Sequence, residues 1–290
     1  MGSTYSARRR DLALPLIVVP TPIGNLEDIT VRALRALREA DVIACEDTRR
    51  TGRLLAHYEI KKPLLAYHEH NEERLAPELA EKARGNLVAL VTDAGTPLVS
   101  DPGYRLLRVC IETDVEVEVL PGPSAPITAL VTSGLPTDAV VFLGFPPRKG
   151  RERERVLERV EREEETFIFF ESPYRLAKTL KELPVEAPVA VCRELTKLHE
   201  EVFRGTAGEA AERYAEGARG EIVLVVRGGR TAKAANFEET VERAREYIAG
   251  GESPSRAAAR AARETGQKRG EVYDRLVGSS IGSRRKAADG

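Results

Sequence analysis

Pro15-Leu16-Ile17-Val18-Val19-Pro20 runs directly into Thr21-Pro22-Ile23-Gly24-Asn25-Leu26, and this junction decides the fold. The first half is short, wholly apolar and β-branched at its centre, the composition of a strand buried on both faces. The second half is a Pro/Gly turn, after which Asp28 is placed to cap a helix carrying Val31, Leu34 and Leu37 at a spacing of three. The pattern then repeats. Strands are predicted at residues 42–45, 63–67, 87–91 and 115–120, separated by helices at 53–58, 71–83, 104–112 and 124–132. Strands alternating with helices imply right-handed crossovers and a mostly parallel sheet, so the chain opens with an α/β domain.

Ser133-Gly134-Leu135-Pro136 reads as a linker. Beyond it, strands are predicted at 140–145, 166–171, 188–194 and 221–227, and residues 151–165 form a charged, solvated helix with only Val156, Leu157 and Val160 apolar. The predicted organisation is a flexible segment at 1–14, an N-terminal α/β domain at 15–134, a second α/β domain at 135–229, and a helical module with a basic tail at 230–290.

Composition narrows the function. The 290 residues carry 45 Lys and Arg against 46 Asp and Glu, a net charge of −1, which excludes a uniformly cationic protein but not a local basic patch. Cys45, Cys110 and Cys192 lie far apart, so neither a disulfide framework nor a zinc ribbon is expected, and a reducing cytoplasm is the expected location. No apolar run approaches the roughly 20 residues of a membrane helix, and Arg8-Arg9-Arg10 is not followed by a signal-peptide pattern.

In an open α/β sheet, ligands bind beyond the carboxyl ends of the strands. Three predicted loops there are built from Gly, Pro, Ser, Thr and Asp: residues 20–26, residues 92–103 (Thr92-Asp93-Ala94-Gly95-Thr96-Pro97-Leu98-Val99-Ser100-Asp101-Pro102-Gly103) and residues 121–125. Tight βα turns would use the same residues singly; three at one edge point to a ligand. The P-loop, the G-x-G-x-x-G turn and the G-x-S-x-G elbow are all missing. Glu46-Asp47-Thr48-Arg49-Arg50-Thr51-Gly52-Arg53 puts two carboxylates beside three arginines at a helix start, able to hold phosphate, or else to form ion pairs within the helix. His68 and His70 share a strand face, but no third metal ligand is evident and no metal is expected. Phe170-Glu171-Ser172 and Arg193-Glu194-Leu195-Thr196-Lys197 end strands of the second domain with a carboxylate near a cation.

Taken in order, these motifs resemble those of the bacterial 16S ribosomal RNA cytidine-2′-O-methyltransferases, a branch of the tetrapyrrole methylase superfamily, over roughly residues 15–228. The resemblance implies two α/β domains with S-adenosylmethionine in the cleft between them, usually in a homodimer. It implies 2′-O-methylation of the ribose of a decoding-centre cytidine in 16S rRNA, within the small ribosomal subunit. Donor binding then falls to Ile23, Gly24, Asp93, Gly95, Thr96, Val99, Ser124 and Ala125, with Phe170 and Glu221 from the second domain. Arg49, Arg50, Arg53, His70 and Asn71 are the RNA-side residues. Glu46, Asp47, His68, Glu171 and Glu194 are the candidate proton acceptors, and Lys197 or Arg49 a candidate for stabilising charge on oxygen. Thr96 stands where the tetrapyrrole branch carries Asp, which weighs against a tetrapyrrole acceptor. The alternatives are that acceptor, or a non-catalytic factor that binds the small subunit. Residues 252–290 hold nine Lys or Arg and five Asp or Glu, fitting either RNA contact or a cap on a dimer.

Overall fold

The computed structural model describes residues 16–229, 237–265 and 267–285. The expected flexible segment at 1–14 and the end of the basic tail lie outside the described residues. Two five-stranded sheets carry the chain. In the first, β1 (Leu16–Val18), β2 (Val42–Cys45), β3 (Leu64–Ala66), β4 (Val88–Val91) and β5 (Val117–Val119) are all parallel, in the order β3-β2-β4-β1-β5.

Alternate residues of this sheet face opposite cores, which is why its strands are apolar throughout. Leu16, Val18, Ala44 and Leu90 face α3 (Glu72–Ala83) and α4 (Tyr104–Glu112). Ile17, Val19, Ile43 and Val91 face α1 (Val31–Glu39) and α2 (Thr48–His57). Two expectations change here. Thr30, not Asp28, caps α1, its hydroxyl accepting from the Ala33 N–H, while Asp28 closes a short 3-10 turn. Val31 is 75% exposed, because α1 rests on Ala33, Ala36 and Leu37.

The second sheet runs β6 (Val140–Phe142), β7 (Thr166–Glu171), β10 (Ile222–Arg227), β8 (Pro188–Arg193), β9 (Glu201–Thr206), parallel only between β6 and β7. Strand β9 is absent from the sequence reading. One face is covered by α6 (Arg151–Arg162), α7 (Leu176–Glu182) and α8 (Ala207–Arg213). The charged helix α6 is not wholly solvated: Arg153 is buried, bonded to Glu182, the Thr179 hydroxyl and the Pro147 carbonyl.

The opposite face of this sheet receives α5 (Ala125–Ser133), the last helix of the first α/β unit. Ala129 and Leu130 pack there on Ile168, Ala190, Cys192 and Val225, together with Ile23 from the loop after β1. The two sheets are thereby joined through α5. A third unit, α9 (Phe237–Ala249), α10 (Pro254–Thr265) and α11 (Arg269–Arg285), closes on its own small core of Val241, Ala244, Ala258, Ala261, Val272 and Leu276.

Candidate functional site

The chain passes from β1 to β2 toward one edge of the first sheet and from β4 to β5 toward the other, so the order reverses between the adjacent strands β4 and β1 and opens a crevice at the carboxyl edge. The three Gly/Pro loops meet there and are bonded to one another. Thr21 and Gly95 exchange both backbone hydrogen bonds at 2.9 Å. The Thr21 hydroxyl donates to the Thr92 carbonyl, and the Thr96 hydroxyl donates to the Pro123 carbonyl at 3.1 Å. Thr96 therefore ties the loop after β4 to the loop after β5. Gly95 makes this turn at φ 75°, and Leu98 and Ser100 hold left-handed conformations at 73° and 65°, strain of a kind that collects at functional sites.

Between these loops and the open face of the second sheet lies a cavity of about 420 Å³, within the range of small-molecule sites. Ile23, Phe145, Phe170, Leu195, Ile222 and Val223 supply apolar wall; Asp93, Thr96, Ser124 and Glu221 supply polar points. Ser124 opens α5 without capping it, so its hydroxyl is not spent on its own helix. A second cavity, of about 590 Å³, adjoins the first and shares Ile23, Arg50, Asp93, Ala94 and Glu221 with it; Gly24, Thr92, Arg53 and Lys197 line its remainder.

Of the residues singled out in the sequence, Ile23, Asp93, Gly95, Thr96, Val99, Ser124, Ala125, Phe170 and Glu221 line the first cavity, with Glu46, Arg50 and Glu171. Gly24, Arg53 and Lys197 line the second. Gly24 is where the two halves touch: a Cβ there would lie 2.5 Å from the Thr196 hydroxyl oxygen, and the Asn25 N–H donates to that oxygen at 3.0 Å. Lys197 bridges Glu194 at 2.9 Å and Glu221 at 3.0 Å. Burial opposes the charge on Lys197, but the two carboxylates outweigh it and raise its pKa; hydrogen bonds from the Glu221 N–H and Lys197 lower that of Glu194.

Other expected residues stand elsewhere. Asp47 lines neither cavity: it caps α2 and pairs with Arg49 at 2.9 Å, and the Arg49 contacts hold its carboxyl well below the usual carboxylate range. Arg49 is spent on the same contact and is 88% exposed. His68, His70 and Asn71 form a separate corner, where Asn71 accepts from the His68 N–H and donates to the Ala66 carbonyl. Glu171 is buried with its carboxylate committed to Arg175, the Ser172 N–H and the Thr179 hydroxyl, so it braces the wall of the cavity. Glu194, one step outside the cavity, works through Lys197 and the Glu221 backbone.

Sequence reasoning missed Asp101, Ser100, Phe145, Cys192 and Leu195 as lining residues. Asp101 lay inside a quoted loop, and the strand-end rule applied to β6 would have reached Phe145. Burial, then the neighbouring Glu46 and Asp93 carboxylates, push Asp101 up to about 6. Burial and Asp93 raise Glu46 likewise. Asp93 itself accepts from the Asp47 N–H at 3.1 Å and pairs with Arg50 at 3.3 Å.

A fold with two α/β layers and a cleft at the switch point defines a protein built to hold a small molecule between them. The family profile described as Tetrapyrrole (Corrin/Porphyrin) Methylases matches residues 15–211. A protein of Halalkalibacterium halodurans named ribosomal RNA small subunit methyltransferase I is 41% identical over 286 residues, covering 94% of this chain and 98% of its own. Its namesake in Thermotoga maritima is 47% identical over 218 residues, 73% of this chain and 98% of its own, so a nearly whole relative is matched by about three-quarters of this one. A solved uroporphyrin-III C-methyltransferase from Thermus thermophilus, complexed with S-adenosylhomocysteine, shares the fold at a TM-score of 0.52 and 22% identity, over 73% of this chain and 96% of that one. The chain belongs to the tetrapyrrole methylase family and, within it, to the ribosomal RNA small subunit methyltransferase I proteins.

Proposed function

We propose that the protein transfers a methyl group from S-adenosylmethionine to the ribose 2′-hydroxyl of a decoding-centre cytidine in 16S rRNA, within the small ribosomal subunit. The observation that carries this reading is the shared wall: an apolar-lined cavity has Arg50, Asp93 and Glu221 in common with a second one edged by Arg50, Arg53 and Lys197. The first suits an adenosyl group and an amino-acid chain, with apolar side chains around a few polar points. The second suits a nucleotide, whose phosphates need cations and whose sugar must reach the shared wall.

S-adenosylmethionine supplies an already activated methyl, so the protein's task is alignment. Ile23 and Phe170 would flank the adenine, and Ser124 and Thr96 would fix the ribose and amino-acid ends. Arg53 would contact a phosphate and Arg50, held by Asp93, would stand at the junction. Lys197, clamped between Glu194 and Glu221, would keep the second-sheet side of the opening in register. No helix among the described residues is long and apolar enough to cross a membrane, in keeping with a cytoplasmic protein acting on ribosomes. A homodimer fits the exposed Ile127 and Val131, one turn apart on the outer side of α5.

The test uses methyl-labelled S-adenosylmethionine with small subunits from cells lacking this activity, naked 16S RNA, and a porphyrin precursor. Label in 16S RNA recovered as 2′-O-methylcytidine is expected. Label only in the porphyrin, or none despite donor binding, would overturn the proposal.

A further inference from the structure

A ribose hydroxyl that attacks a sulfonium methyl sheds its proton, so a proton acceptor belongs where donor and ribose meet. Glu46, Asp101 and Glu171 line the first cavity alone, and Glu194 lines neither. Asp93 and Glu221 line both. Asp93 is committed at each oxygen: Oδ1 accepts from the Asp47 N–H at 3.1 Å, and Oδ2 pairs with Arg50 at 3.3 Å. Glu221 gives Oε2 to the Lys197 ammonium at 3.0 Å, and its Oε1 has no partner among the described residues. The backbone under this carboxylate is tightly fixed. Gly220, at φ 82°, leaves room for the Glu194 carboxyl group, whose carbon would lie 2.6 Å from a Cβ there. The Glu194 N–H donates to the Glu221 carbonyl at 2.9 Å, and Glu194 Oε1 accepts from the Glu221 N–H at 2.8 Å. That same oxygen accepts from the Lys197 ammonium at 2.9 Å. Glu194 therefore anchors Lys197 independently of Glu221, and Lys197 holds one Glu221 oxygen at the wall shared by the two cavities.

We propose that Glu221 is the catalytic residue that takes the proton of the ribose 2′-hydroxyl during methyl transfer, and that Lys197, anchored by Glu194, is the positioning residue that holds it in place. The inference rests on the function proposed above. The 2′-oxygen forms a bond to the methyl carbon as the carbon–sulfur bond breaks, and the electron pair of that bond stays on sulfur as a neutral thioether. The hydroxyl proton passes to Oε1 of Glu221 and then to water. Lys197 remains beside the reacting oxygen as a cation while negative charge gathers there, because Glu194 keeps it in position after Glu221 is neutralised. General-base assistance of this kind is worth about 10²–10⁴-fold. The Glu221 side chain is 69% exposed, so small solutes can reach it.

The test measures single-turnover transfer to small subunits with saturating labelled donor, beside calorimetric binding of S-adenosylhomocysteine and a thermal melt of each full-length variant. Glu221→Gln keeps the shape and removes the proton-accepting charge; it should lose at least about 100-fold in rate, with analogue affinity unchanged within about 3-fold. Chemical rescue separates catalysis from structure. Glu221→Ala given formate should regain at least about 10-fold over the same protein in chloride at equal ionic strength, a control needed because subunit binding falls with salt. Glu221→Gln, whose amide fills the space, should not be rescued. Lys197→Gln should lower the saturated rate more than it raises the half-saturating subunit concentration, and Lys197→Arg should restore most of that rate. A Glu221→Gln protein that transfers methyl at close to the parent rate overturns the proposal. So does a rate loss matched by a loss of analogue binding, which would make Glu221 a donor ligand, or a Glu221→Ala protein that formate leaves inactive. A parent that labels no RNA sinks the underlying function and this inference with it, whereas an active parent with an unimpaired Glu221→Gln sinks this inference alone.

Discussion

Replacing Gly24 by Ala tests whether the two halves of the cleft are held in register by one close approach. The added methyl carbon would lie 2.5 Å from the Thr196 Oγ1, 2.6 Å from the Lys197 Cγ and 2.9 Å from the Leu195 carbonyl oxygen. Ordinary contact begins near 3.4 Å, so the segment carrying Leu195, Thr196 and Lys197 must retreat by about 0.5–0.9 Å. It cannot rotate freely, because Glu194 and Thr196 already occupy left-handed backbone at φ 51° and 65°. Overpacking of this kind costs about 1–3 kcal/mol, and losing the Asn25–Thr196 hydrogen bond adds about 0.5–1.5 kcal/mol. At ~2–4 °C per kcal/mol, melting should fall by roughly 5–15 °C. Displacing Lys197 also moves Glu221, so the dissociation constant for S-adenosylhomocysteine should rise. Differential scanning fluorimetry and calorimetry read both effects. Gly85→Ala, where a Cβ meets nothing within 4 Å, is the control and should be near neutral. A Gly24→Ala protein that melts like the parent and binds the analogue equally well would refute the reasoning.

Arg53, which has no carboxylate partner among the described residues, should act as a phosphate contact: Arg53→Ala should weaken small-subunit binding, lower the salt slope of log K by about 1, and leave analogue binding alone, all measurable by filter binding across salt. Glu171→Ala should cost about 2–4 kcal/mol in denaturant melts, because it takes the carboxylate from the half-buried Arg175 and the acceptor from the buried Thr179 hydroxyl, leaving them only the Pro146 carbonyl and Arg153; a loss under 1 kcal/mol would contradict the buried network. Burial and the neighbouring Glu46 carboxylate push Asp101 from an ordinary 3.8 up to about 6, so the folded state holds the proton more tightly and the contribution of this group to stability should decline as pH rises from about 4 to 6. Asp101→Asn should remove that decline and leave the protein roughly 1–3 kcal/mol more stable than the parent at pH 7, as urea melts at pH 4 and 7 would show.

The backbone of the cleft was legible because its signals are local. An apolar run such as Leu16–Val18 or Val88–Val91 announces a buried strand by itself, and Tyr104–Glu112 has the predicted helix ends. The loops at 20–26, 92–103 and 121–125 were visible as composition, and the strand-end rule placed them at one edge. What escaped depended on partners distant in sequence. Strand β9 carries Glu201 and Arg204 like a polar loop; pairing with β8 and the grip of Arg193 and Arg213 on Glu201 make it an edge strand. Arg153 is buried because Thr179 and Glu182 arrive from another helix. Asp47 stands beside three arginines in the sequence, and in the fold its carboxylate caps α2 and pairs with Arg49 outside both cavities. Asp101 was passed over because its neighbours Glu46 and Asp93 come from two different strand ends, a convergence that only the folded chain brings about.

The most direct test of the two-chamber account is a crystal structure of the protein with S-adenosylhomocysteine and a cytidine nucleotide. The account predicts the thioether in the cavity among Ile23, Thr96, Ser124 and Phe170, with the sulfur turned toward the Arg50–Asp93 junction and the ribose entering from the side of Arg53 and Lys197. Density for the thioether outside this cavity, or a ribose on the far side of the second sheet, would contradict it.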